Sequence, residues 1–193
     1  MKKLLSILLI CGFCYLVFIT RTSIDNSTQN NKRSFSSEWS ALTNCSVSDL
    51  KYEPDGDSFE VKFNGGTEVF RLWGVDCPET SAKTQQMKDR VMQQSYDFRK
   101  SFDQTIWWGK IAKNFTISKL KEGFIVETRW QKCFGYRYYC KVKLSTGEDL
   151  GDLLLKKGYA RVMAGHLPFV EQQRLEVLEK EAKDKKIGIW VKQ

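Results

Sequence analysis

Residues 53–80 read EPDGDSFEVKFNGGTEVFRLWGVDCPET, and the reading of this stretch decides the fold. Phe59, Val61 and Phe63 alternate with Glu60 and Lys62, and after Asn64-Gly65-Gly66 a second apolar run follows, Val69, Phe70, Leu72 and Trp73. A period of two on either side of an Asn-Gly step predicts a tight β-hairpin, with Asn-Gly supplying the positive φ values of the turn. Pleating then puts Phe70 and Leu72 on one face and Arg71 on the other, so the guanidinium is expected to point out of the core. Acids stand at both ends of the hairpin, Asp55 and Asp57 before it, Asp76 and Glu79 after it. Like charges gathered in one place repel, and their arrangement calls for solvent between them or a cation.

Downstream, Trp108, Ile111, Ala112 and Phe115 recur at helical spacing between Gln104 and Leu120, which predicts a helix with that stripe facing the core. Residues 81–103 are polar and only partly helical in character. Gly123 ends the helix, FIVETRW and RYYCKVKL read as strands, and LGDLLLKKG reads as a short helix with Gly158 beyond its end. A last helix from about Pro168 carries Leu175, Leu178 and Ala182 on one face. Strands clustered rather than alternating strictly with helices point to an antiparallel α+β domain or a small barrel.

The N-terminus has a different character. Lys2 and Lys3 precede an uncharged run from Leu4 to Thr20, the pattern of a signal peptide or membrane anchor, here assigned to residues 1–23. Residues 24–40, rich in Ser, Asn, Thr and Gln, read as a flexible polar linker, and the folded domain is expected over 41–193. Export follows, with the domain outside the cytoplasm and residues 4–20 available as a membrane tether. Cys45, Cys77, Cys133 and Cys140 make an even number in the domain, compatible with disulfides outside the cytosol in any of three pairings. They do not suggest zinc, since the domain has no C-x-x-C and the chain only one histidine, His166. Residues 38–193 hold 26 basic against 22 acidic side chains, a small excess that suits an anionic partner without specifying one.

The segments DGDSFEVKF, FRLWGVDCPET, GYRYYCKV, LLLKKGYARV and AKDKKIGIW occur in the order and at roughly the spacing seen in the thermonuclease, or staphylococcal-nuclease-like, family, and residues 48–191 resemble it. The resemblance implies a five-stranded OB-type β-barrel with three helices and a calcium-dependent phosphodiesterase site, calcium being expected ahead of magnesium. Carried over position by position, Asp57 and Asp76 would bind the metal, with the backbone carbonyl of Cys77 as a third ligand and Asp55 in the outer shell. Glu79 would activate or orient the attacking water, Arg71 would grip the phosphate, and Arg137 would stabilise the charged transition state. The chemistry agrees, since hard divalent cations prefer oxygen ligands and planar guanidinium groups fit two phosphoryl oxygens at once. The partner implied is DNA or RNA, bound through its phosphates by a monomer.

Two departures stand out. The family often reads Asp-x-Tyr-Gly-Arg before the second arginine, whereas here KCFGYR separates Gly135 from Arg137 by Tyr136. The segment after Gly158 has Ala164 where a base-stacking tyrosine is common, leaving Tyr136 or His166 as replacements. A catalytic role for His166 has only its rarity behind it, and Trp107 and Trp108 read as helix aromatics rather than site residues. The contrasting function, a noncatalytic OB-fold module binding nucleic acid or protein, is disfavoured because degenerate copies generally lose the carboxylates that Asp57, Asp76 and Glu79 retain.

Overall fold

The computed structural model describes residues 33–48 and 55–191. The expected signal or anchor segment, most of the linker and the tether through residues 4–20 lie outside the described residues. Among those described, no helix is long and apolar enough to cross a membrane.

The hairpin forms where the alternation places it. Strands β3 (Ser58–Phe63) and β4 (Gly66–Leu72) pair antiparallel from Ser58↔Arg71 to Phe63↔Gly66. The positive φ falls on Gly66 (127°), one residue later than the Asn-Gly reading expects. Phe59, Val61, Phe70 and Leu72 go into the core, as the pleat requires. Strand β4 also pairs in parallel with β7 (Tyr138–Leu144), which in turn pairs antiparallel with β6 (Phe124–Lys132), so the sheet is mixed.

Two short strands finish this sheet. Strand β1 (Ser40–Leu42) lies against β6 and β2 (Ser46–Val47) against β3, giving the order β1-β6-β7-β4-β3-β2. The two outer strands are consecutive pieces of chain separated only by Thr43, Asn44 and Cys45. At about 3.3–3.6 Å per residue, that connection brings the two edges close together, so the six-stranded sheet must be strongly rolled. Order begins before residue 41, since the Ser36 amide donates to the Arg129 carbonyl at 2.8 Å and the Trp39 ring packs edge-on against Trp73.

A separate two-stranded sheet pairs β5 (Val75–Asp76) with β8 (Arg161–Val162) and sets Asp76 opposite Arg161. Four α-helices complete the described fold: α1 (Gln85–Phe98), α2 (Phe102–Leu120), α3 (Leu150–Lys156) and α4 (Phe169–Asp184). The α+β expectation is met in class, while the count differs from five strands and three helices. The additional helix is the polar stretch read as only partly helical. Thr84 caps its start by accepting from the Met87 amide, and Arg99 ends it in the left-handed region. Helix α2 then opens with a capping box between Ser101 and Gln104.

The buried face of α2 matches the expected stripe only at Ala112. Thr105, Gly109, Ala112, Thr116 and Leu120 are buried, while Trp108, Ile111 and Phe115 are only partly covered. Small residues win these positions because the helix lies directly on both acidic loops. A Cβ on Gly109 would stand 2.3 Å from the Glu79 carbonyl oxygen, and Thr116 donates to the Gly56 carbonyl at 2.7 Å. Cys45, Cys77, Cys133 and Cys140 are free thiols, with Cys77 and Cys140 buried in the core.

Candidate active site

The hairpin closes at its open end through a 2.8 Å bond from the Leu72 amide to the Asp57 carbonyl, which places Asp57 and Arg71 side by side. The pleat does turn Arg71 away from Phe70 and Leu72. Its guanidinium is nevertheless 6% exposed rather than solvated, because that face is covered by carboxylates. Nη1 donates to Asp57 Oδ1 at 2.5 Å and Nη2 to Asp76 Oδ1 at 2.7 Å. Two buried acids thus flank one buried base.

Asp57 is fully engaged: Ser58 Oγ donates to Oδ1 at 2.9 Å and the Cys77 amide to Oδ2 at 2.6 Å. Asp55 serves the turn, its Oδ1 accepting from the amides of Asp57 (3.0 Å) and Ser58 (2.6 Å). Burial, followed by the charge of Asp57, pushes the Asp55 carboxyl well above the usual range. Burial alone would also raise Asp76, but Arg90, Arg71 and Arg161 outweigh it and hold its carboxyl below the usual range. Burial would lower the pKa of Arg71, yet Asp57 and Asp76 more than reverse this and keep the guanidinium charged.

Glu79 lies at the mouth of this cluster. A cleft of about 540 Å³ is lined by Asp55, Arg71, Glu79, Arg90, Phe134 and Arg137 among others, so four of the predicted site side chains, Asp55, Arg71, Glu79 and Arg137, open onto one space, while Asp57 and Asp76 are buried and do not line it. Arg137 reaches it from the altered turn. Its Nη1 donates to Ser58 Oγ at 3.1 Å and its Nε to the Phe134 carbonyl at 3.2 Å. The extra residue of KCFGYR is absorbed by a turn with Gly135 at φ 72°, closed by the Cys133 amide on the Arg137 carbonyl. Phe134 rather than Tyr136 lines the cleft, although both rings are exposed. His166 stands apart from it, its ring beside that of Tyr139.

Three residues of this site were missed in the sequence. Arg90 on α1 donates through Nη2 to Asp76 Oδ1 at 2.5 Å and through Nε to Glu79 Oε1. Gln94, one turn further along α1 and fully buried, accepts from the Glu79 amide at 2.8 Å and donates to the Cys77 carbonyl at 2.9 Å. Arg161, opposite Asp76 on β8, donates to Asp76 Oδ2 at 3.0 Å and to Asp97. The available signal was the i, i+4 spacing of Arg90 and Gln94, which puts both on one face of any helix there.

Among the described residues, no three His, Cys, Asp or Glu side chains converge as they would around a metal ion. The donor set still suits a hard cation in kind. Asp57 and Asp76 are held by one guanidinium, the Cys77 peptide donates its N–H to Asp57, and its carbonyl is fixed by Gln94. All the candidate ligands are oxygens, and a carbonyl retains a second lone pair.

The sequence model of the family described as "Staphylococcal nuclease homologue" matches residues 69–192. Arg71, Asp76, Glu79, Arg137 and Arg161 fall inside that span, and Asp57 lies before it. Over 143 residues, 72% of this chain, the sequence is 29% identical to Endonuclease YncB of Bacillus subtilis (strain 168), covering 58% of that protein. It is 27% identical over 143 residues to SPbeta prophage-derived endonuclease YokF of the same strain, covering 42% of it. The chain thus spans about half the length of the curated relatives it matches.

Proposed function

The chain belongs to the staphylococcal nuclease homologue family, and from that premise we propose that it is an exported, calcium-dependent nuclease that hydrolyses phosphodiester bonds of DNA and RNA with little sequence preference. One observation carries the reading: Arg71 is fixed between Asp57 and Asp76 on the floor of a cleft whose walls present Glu79 and Arg137. The two similar Bacillus proteins are named endonucleases, which supports the same class of reaction. We read the rolled sheet as an OB-type barrel in which β1 and β2 are one strand interrupted at Thr43–Cys45, giving five strands in all.

In this reading Arg71 and Arg137 contact the phosphoryl oxygens, where paired N–H donors match the charge that grows as water adds to phosphorus. Glu79 accepts a hydrogen bond from the attacking water and takes its proton as the new P–O bond forms and the bond to the leaving oxygen breaks. Gln94 and the α2 helix hold the backbone of residues 77–79, so the Glu79 carboxylate starts from a fixed anchor. Asp57, Asp76 and the Cys77 carbonyl would hold a calcium ion, with Asp55 behind them; when bound, it supplies charge to a phosphate oxygen and acidifies water. Phe134 and Tyr136, exposed on the turn beside Arg137, offer rings for stacking an unpaired base. Binding through phosphates makes affinity fall with salt.

The test is degradation of single-stranded DNA, duplex DNA and RNA by the full chain with calcium, with magnesium and with chelator, beside a Glu79→Gln variant. Calcium-dependent cleavage that falls by orders of magnitude in the variant supports the reading. A folded protein that binds DNA and cuts nothing with either metal rejects it in favour of a noncatalytic module.

A further inference from the structure

Three guanidinium groups meet on the single carboxylate of Asp76, and they are not equivalent. Arg71 is 6% exposed and also holds Asp57; Arg161 is 28% exposed and also holds Asp97, outside the cleft; Arg90 is 43% exposed, and its second partner is Glu79. Arg71 and Arg90 both have their two acid partners within the site, and of the two only Arg90 reaches the surface. It also stands on the helix that forms one wall of the cleft, with Gln86 and Met87 a turn before it.

We propose that Arg90 is an internal occupant of the divalent-cation position, bridging Asp76 and Glu79 until a cation displaces its side chain. This rests on the metal-dependent reading given above. A guanidinium and a divalent ion answer the same need, the gathered charge of Asp76 and its neighbouring acids, and a cation held by Asp76 would compete with Arg90 for that carboxylate. Displacing Arg161 would strip Asp97 of its partner, and displacing Arg71 would move a side chain buried at 6% exposure. Displacing Arg90 releases Asp76, which the incoming cation would engage, and Glu79, which opens onto the cleft, and a side chain already 43% exposed rehydrates at small cost. The anchors provided by Gln94, the Cys77 amide and Arg71 need not move. Arg90 therefore sets the cation concentration at which the site loads, and the exchange turns a closed acid–base bridge into an open Glu79.

Calcium binding to the full chain by titration calorimetry, with chelator-treated protein, tests this without an activity measurement. Arg90→Gln should bind calcium about five- to tenfold more tightly than wild type, the worth of a half-exposed ion pair. Its cation-free melting temperature should be lower and its calcium-induced rise larger. Arg90→Lys, which cannot bridge two carboxylates in the same way, should fall between the two. Arg174→Gln, which removes a surface arginine paired with Asp152 and Glu171, should leave the affinity unchanged. In wild type, the Arg90 Nε–H resonance should lose its protection as calcium is added, a readout that needs no variant. Unchanged or weaker binding by Arg90→Gln, or an Arg90 signal indifferent to calcium, overturns the proposal while leaving the nuclease reading intact. Absence of calcium binding by both wild type and Arg90→Gln overturns the proposal and the calcium requirement together, and cleavage in chelator then decides whether the nuclease reading survives.

Discussion

Gly109 lies so close to Glu79 that a Cβ added to the glycine would stand 2.3 Å from the glutamate's carbonyl oxygen. No flexible side chain can yield there, because the obstructing atoms are backbone. Gly109→Ala must therefore move either α2 or the 78–79 loop. Overpacking of this kind costs about 1–3 kcal/mol of stability, and a displacement near 1 Å at a reacting group costs roughly 10²-fold in rate. The expected result is a folded protein with a modestly lowered melting temperature and a much larger loss of kcat than of substrate affinity.

Arg71 and Arg137 should separate stability from cleavage. Arg71→Gln leaves Asp57 and Asp76 buried without their shared cation, a loss of about 3–5 kcal/mol for a broken buried pair. Arg137 makes one hydrogen bond to Ser58 Oγ and one to the Phe134 carbonyl, so Arg137→Gln should barely shift thermal unfolding. Its cost is expected in cleavage, about 10²–10³-fold, by comparison with other donors aimed at a charged transition state. Thermal melts and single-turnover cleavage of both variants check the split.

Gln94 carries its role through the backbone. Gln94→Leu removes the acceptor of the Glu79 amide and the donor to the Cys77 carbonyl, and stranding such groups costs about 1–3 kcal/mol each. Gln94→Glu restores the acceptor, restores a donor only while its carboxyl is protonated, and once ionised adds charge beside Asp76. The measurement is calcium affinity alongside melting temperature: the glutamate variant should keep more stability than the leucine variant only below the pH at which its new carboxyl ionises.

A dependence on pH is expected far from the cleft. Asp149 caps α3, accepting from the amides of Gly151 and Asp152, and burial followed by the charge of Asp152 pushes its carboxyl above the usual range. Its folded pKa exceeds the unfolded one, so its contribution is fully present below the unfolded value, about 4, and is lost as pH rises through the folded value. Asp149→Asn keeps a capping oxygen and removes the charge. The variant should be more stable than wild type at pH 7 and indistinguishable from it near pH 3 in chemical denaturation.

The hairpin was legible because a period of two and a Gly-rich turn are local signals, and with it came Asp57, Arg71, Asp76 and Glu79. The burial of Arg71 was not legible. A pleat shows which way a side chain points, while the acids that cover it arrive from outside the strand. Arg161 illustrates the same limit, since it meets Asp76 across 85 residues of sequence. On α2, hydropathy favoured Trp108, Ile111 and Phe115 along with Ala112, whereas the packed face is chosen by how closely helix and loop approach, which keeps Ala112 and adds Gly109 and Thr116. Arg90 and Gln94 were hidden for a related reason. A polar side chain facing a polar site has the same hydropathy as one facing water.

The two halves of residues 40–47 are fastened over very different distances along the chain. Val47 meets Val61, 14 residues on, while Ser40 meets Thr128, 88 residues on. The near seam closes a short loop and the far seam a long one, and closure entropy grows with the length enclosed. This short segment therefore behaves as a clasp with an early side and a late side. A cut or truncation at Thr43–Cys45 leaves β2 seated on the hairpin and bares the backbone edge of β6, including Val126 and Thr128. A bare strand edge invites pairing with another chain, so trimming at the N-terminal side converts a covered edge into an adhesive seam.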